Sequence, residues 1–286
     1  MDIIARILNF SIMIAFPVGL GVFLSRKLRT EWRLFGIGAV TFIGSQVFHI
    51  PFNAWVLNPI LERFGFDGTE HGLQLGISAL ALGLSAGVFE EIARYLGYRF
   101  WLKEDRDWKS ALMFGAGHGG IESILLGVLV LYGFIQAVSL KDADLTAVIN
   151  PENLEIARIR LEAYWAAPWH LAILGAVERL ATICFHLSAT VLVLQSFRRK
   201  NSAWLFAAIG WHTLLDATAV FASQTWSPYI TEGIILGFGL ISLMIVFRLK
   251  STDQSLVQES PKLEPAIPEI QPVSPSKENL EDSRYV

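Results

Sequence analysis

Long stretches dominated by apolar residues recur along the chain, separated by short segments in which charge collects. An α-helix rises about 1.5 Å per residue, so about 20 residues cross the hydrocarbon core of a bilayer. On that ruler the pattern predicts seven spans, at approximately 3–24, 34–57, 73–98, 110–139, 169–197, 203–222 and 227–247. Eight of the nine tryptophans (Trp32, Trp55, Trp101, Trp108, Trp165, Trp169, Trp204 and Trp226) fall near the proposed ends, and Trp211 is the exception. Aromatic belts at the two membrane interfaces produce that distribution. The expected fold is therefore all-α: a polytopic transmembrane helical bundle over residues 1–250, followed by a tail.

Composition agrees. The chain is 53% hydrophobic and 17% charged, against about 25% charged residues in soluble domains. A single cysteine, Cys184, excludes a disulfide framework or a cysteine metal cluster within one chain and reads as a small buried hydrophobe. The basic cluster Arg26, Lys27 and Arg29 follows the first apolar run instead of preceding it, so that run reads as a retained span and not as a cleaved leader.

Loop charge sets an orientation. Arg26, Lys27, Arg29 and Arg33, then Arg99, Lys103, Arg106 and Lys109, then Arg198, Arg199 and Lys200, and finally Arg248 and Lys250 occupy alternate loops, while the intervening loops are acidic or mixed. Lys/Arg-rich loops stay cytoplasmic, which puts the N-terminus outside and the C-terminus inside. Within the long outer loop, "PENLEIARIRLEAYW" reads as an interfacial amphipathic helix. The proline-rich segment 251–286 reads as a disordered cytoplasmic tail.

Ionisable side chains inside a span cost about 2.5–3.5 kcal/mol each near the bilayer centre and need a reason. Here they are Glu90, Glu91 and Arg94 in span three, His118 and Glu122 in span four, Glu178, Arg179 and His186 in span five, and His212 and Asp216 in span six. Counted from the basic ends, Glu90/Glu91 and His118 lie roughly 13 Å deep, and His186 and His212 roughly 18 Å deep. Four helices thus bring a carboxylate pair and three imidazoles to one level. Glu90 and Arg94, His118 and Glu122, and His212 and Asp216 are each four apart and share a helical face. Glu178–Arg179, His49, His71 and His170 read as structural, and Trp211 as packing.

A glutamate in a poorly hydrated site can act as a general base, with histidines to hold water and steady an oxyanion. The same ligands also suit Zn²⁺. The residues alone leave these two chemistries open.

Glu90-Glu91-x-x-Arg94, Phe114-x-x-x-His118 and His212-x-x-x-Asp216 resemble, in order, the glutamate, FxxxH and HxxxN/D motifs of the CAAX-protease/bacteriocin-processing clan. "GAGHGGIE" and "ERLATICFHLSATVL" resemble most closely its YhfC branch of intramembrane metalloproteases. The resemblance implies a catalytic glutamate at Glu90 or Glu91, a water-positioning histidine at His118, and a second histidine with its partner at His212 and Asp216. It also implies an additional histidine at His186. Two residues, not the clan's three, separate Glu91 from Arg94, so arginine spacing favours Glu90 and simple order favours Glu91.

The expectation is an intramembrane endopeptidase of the bacterial cytoplasmic membrane, with a site opening towards the cytoplasmic half. Glu90, Glu91, His118, His212 and Asp216 are its catalytic candidates, and Arg94, Glu122 and His186 support them. Glu91, His118, His186 and His212 are the candidate metal ligands, with zinc as the candidate ion. The expected partners are a membrane-associated protein or peptide substrate and the bilayer, with no nucleic acid. A proton or metal-ion transporter and a non-catalytic scaffold are the alternatives.

Overall fold

In a computed structural model, residues 1–259 are described apart from Asp67 and Glu70. The tail was expected over 251–286; residues 251–259 instead continue the last helix, and the rest lies outside the described residues. Seven helices are long and apolar enough to cross a membrane, and they fall on the seven predicted segments. In chain order these are α1 (Asp2–Leu28), α2 (Trp32–Phe52), α4 (Gly72–Phe100), α5 (Trp108–Leu140), α9 (Leu174–Arg198), α10 (Ala203–Thr225) and α11 (Pro228–Glu259).

Shorter helices lie between them: α3 (Asn58–Arg63), α6 (Leu145–Val148), α7 (Leu154–Ala166) and α8 (Trp169–Ala172). Helix α7 is the helix expected in the long loop. Arg6 of α1 ties it down, donating to the carbonyls of Tyr164 and Ala167 at 2.6 and 3.0 Å. The Arg6 guanidinium also lies 4.2 Å over the Tyr164 ring.

Helix α9 is the hub. Its apolar window is 83% buried, against 17–39% for the other six spans. Helices α1, α5 and α10 pack along it, and α4 packs along α10. Without a hydrophobic drive in lipid, helices associate through close packing of small residues. The α2–α5 contact shows this. A Cβ on Gly38 would lie 2.1 Å from the Phe114 carbonyl oxygen, and one on Gly117 would lie 2.0 Å from that of Phe35. No larger residue fits either place, and the close approach fixes α2 beside His118.

The main apolar cluster occupies the end of the bundle that carries the basic loops. Leu24, Leu34, Tyr98, Leu102, Trp108, Phe114, Leu194, Val246 and Leu249 meet there, from the ends of six spans. Polar ties close it: Trp108 Nε1 donates to the Val246 carbonyl at 2.8 Å, and the Arg106 guanidinium lies 4.4 Å over the Phe197 ring. Asp107 caps α5, its carboxylate accepting from the backbone N–H groups of Lys109 and Ser110 at 2.9 and 3.2 Å. That cap fixes the register from which His118 is counted. At the opposite end, α2 passes Pro51 and continues as a π-helical turn, Asn53–Leu57.

Candidate active site

All eight residues expected at the site come together, from α4, α5, α9 and α10. The two neighbouring glutamates have different surroundings. Glu91 is fully buried and pairs with Arg94 three residues on. The same oxygen, Oε1, accepts from His212 Nδ1 at 2.7 Å. Glu90 faces the other way. Its Oε2 is 3.2 Å from His118 Nε2, 3.6 Å from Arg94 Nη2 and 3.9 Å from His212 Nε2. Arg94 therefore anchors Glu91 closely and touches Glu90 only loosely.

His118 is held by a residue that sequence reasoning missed. Thr41 of α2 places its Oγ1 2.8 Å from the Gly38 carbonyl oxygen and 3.0 Å from His118 Nδ1. Thr41 thus fixes the His118 ring, with Nδ1 on the threonine hydroxyl and Nε2 towards Glu90. Nε2 meets the Glu90 carboxylate at 3.2 Å, where it donates when it carries the ring hydrogen and can face a shared ion when it does not. Gln46 of α2 also escaped the sequence reading. It donates to Glu90 Oε1 at 3.1 Å and lies 3.4 Å from His49, which meets Asn53 at 3.0 Å. His49 thus belongs to the polar surround of Glu90. The only advance signal for Thr41 was depth, because it follows Trp32 by about as many residues as His118 follows Trp108.

Glu122 shares a face with His118 but bonds elsewhere. It accepts from His186 Nε2 at 2.6 Å and from Arg179 at 2.6 Å, and Arg179 also pairs with Glu178. His186 Nδ1 in turn accepts from Arg94 Nη2 at 2.6 Å. The Glu178–Arg179 pair expected to be structural is thus joined to the site through Glu122. The His186 ring has room because residue 119 is glycine: a Cβ there would lie 2.5 Å from its Cδ2. Asp216, partly exposed, is 3.4 Å from His212 Nε2.

Two cavities touch Glu90, and both are also lined by Glu122 and Asp216. One, of about 780 Å³, lies between α2, α4 and α5, with Phe42, Ile50, Leu125 and Leu126 at its apolar rim. The other, of about 450 Å³, lies among α9, α10 and α11 beside His186 and His212. A third cavity adjoins the second, sharing Glu178, Ala219 and Ile235, and continues to Ser223 and Pro228. Together the two run to the end carrying the acidic loops. The sequence had suggested an opening towards the basic loops, where the apolar cluster lies.

Residues 12–236 match the protein family described as YhfC intramembrane metalloprotease. The chain belongs to that family. It is also similar to the uncharacterized membrane protein YhfC of Bacillus subtilis (strain 168), at 30% identity over 216 residues that cover 74% of this chain and 82% of the relative. No solved structure matches.

The family description of this YhfC-type chain implies a metal ion, and the side chains fit one. Glu90, His118 and His186, all buried, each offer a donor atom within 4.8 Å of the others. Two imidazoles and a carboxylate are the donor set of many zinc hydrolases. The convergent carboxylate is Glu90. Glu91, the expected ligand, is taken up by Arg94 and His212. Both nitrogens of His186 already have partners, so it joins an ion only by releasing Arg94 or Glu122.

Proposed function

We propose that this protein is an intramembrane endopeptidase that hydrolyses a peptide bond of a membrane-associated protein or peptide in the bacterial cytoplasmic membrane. The observation that carries the reading is the Glu90–His118 pair, a buried carboxylate 3.2 Å from an imidazole nitrogen on the floor of a cleft with an apolar rim. A substrate segment enters from the lipid between α2, α4 and α5 and sets its scissile carbonyl above Glu90. A water held between Glu90 and His118 loses its proton to Glu90 as its oxygen attacks the carbonyl carbon.

In its doubly protonated form His212 donates Nδ1–H to Glu91 and swings its Nε2–H from Asp216 to the oxyanion. When the intermediate collapses, the C–N bond breaks and Glu90 returns the proton to the leaving amine. Glu91 and Arg94 position His212 and His186 and do not touch the substrate. A zinc ion held by Glu90, His118 and His186 would lower the pKa of a bound water to about 7 and polarise the carbonyl.

The test is purified protein in proteoliposomes with a library of transmembrane peptides, with and without a chelator, analysed by mass spectrometry. Cleavage that disappears in Glu90→Gln supports the reading, and chelator sensitivity separates the ion-assisted from the ion-free form. Full cleavage by Glu90→Gln would overturn it, as would ion flux with no cleavage of any peptide.

A further inference from the structure

The buried site needs water, and the basic-loop end is closed by the apolar cluster. A run of two cavities, the second and third, leads from His186 and His212 to Ser223 near the acidic-loop face, with Glu178, Ala219 and Ile235 in the walls of both. Its charged lining is one-sided. Glu122, Glu178 and Glu232 face a single guanidinium, Arg179, which pairs with the first two. Polar atoms there also lack protein partners. Thr231 is only 7% exposed, lines the third cavity, and its Oγ1 has no hydrogen-bond partner. Glu232 Oε2 beside it has none either. Buried hydroxyl and carboxylate oxygens without partners are ordinarily satisfied by water or a cation.

We propose that this space is a cation-selective vestibule, through which water and hydrated cations reach Glu90 and the histidines from the acidic-loop face. Thr231 and Glu232 hold the entering species at the mouth, and Glu178 with Arg179 marks the narrow junction with the inner cavity. The proposal rests on the site described above but not on its being a protease.

The experiment reads access directly. In a Cys184→Ser background, single cysteines replace Ser223 at the exposed mouth, Thr231 inside it, and Ala219 at the junction. Each is reacted in sealed vesicles of known orientation with membrane-impermeant thiosulfonates, one cationic and one anionic. Ser223→Cys is expected to react with both reagents from the acidic-loop face. Thr231→Cys and Ala219→Cys should react from that face with the cationic reagent about tenfold faster than with the anionic one, as expected for a focused field. Combined Glu178→Gln and Glu232→Gln substitutions should bring that ratio towards one. Equal rates, no reaction at either inner position, or reaction from the basic-loop face would overturn the vestibule. If Thr231→Cys does not fold, Ala219→Cys decides alone. None of these readouts uses cleavage, so the vestibule and the peptidase fail separately.

Discussion

The two ends of the bundle are built differently. At the basic end, Tyr98, Leu102, Trp108, Phe114 and Leu194 pack into an apolar plug, and charged groups sit over aromatic rings at its margin. At the acidic end the helices spread around polar cavities, and Thr231, Glu178 and Glu232 line the gaps. Glu90 and Glu91 lie near the boundary between the two. The side chain that faces the cavities is Glu90, and the one turned into a dry ion pair is Glu91. Stability and chemistry are thus divided along the membrane normal.

Substitutions can break that division, and the largest effect is expected at the boundary. Glu90→Gln should lower peptide cleavage about 10³-fold, equivalent to about 4 kcal/mol of barrier, while leaving the thermal midpoint in detergent close to that of the parent. Glu91→Gln should do the reverse in part. Removing one partner of a buried ion pair costs about 3–5 kcal/mol, so the folded yield and the midpoint should both drop. A midpoint unchanged in Glu91→Gln would mean that the pair with Arg94 is not structural.

Within the plug, Leu102→Ala should cost about 2–5 kcal/mol of stability through the cavity it leaves, with cleavage per folded molecule within about twofold of the parent. Thr41→Val keeps the volume but removes the hydroxyl that orients His118. It should lower metal affinity or activity about 10–100-fold, and Thr41→Ser should restore it; equal activity in the valine variant would remove Thr41 from the site. The smallest effect is expected at the surface of the basic end. Arg33 and Asp105 pair at 2.7 Å at the surface, with Arg33 half-exposed, and Arg33→Ala should change stability by less than about 1 kcal/mol.

Much of this was legible in the sequence, for physical reasons. The spans were readable because lipid permits only long apolar helices here, and the ends were marked by tryptophan and by Lys/Arg. The site residues were readable because charge inside a span is costly and so stands out, and depth counting brought Glu90, His118, His186 and His212 to one level. Thr41 and Gln46 were not readable, because a threonine or glutamine in a span costs little and carries no pattern of its own. The partner of Glu122 was missed because helix spacing shows which side chains share a face but not which neighbouring helix they reach. The polar cavities among α9, α10 and α11 were not readable for a related reason: they depend on packing between helices.

Glu90, Glu122 and Asp216 line both the lipid-side cleft and the polar cavity. The wall between the hydrocarbon phase and the aqueous space is therefore about one side chain thick at that level. Such thinness lets a reagent dissolved in one phase meet a bond carried in the other. It also leaves the barrier to ions across the bilayer, at this protein, to the apolar plug beyond it, whose tight packing then serves as electrical insulation as well as mechanical support.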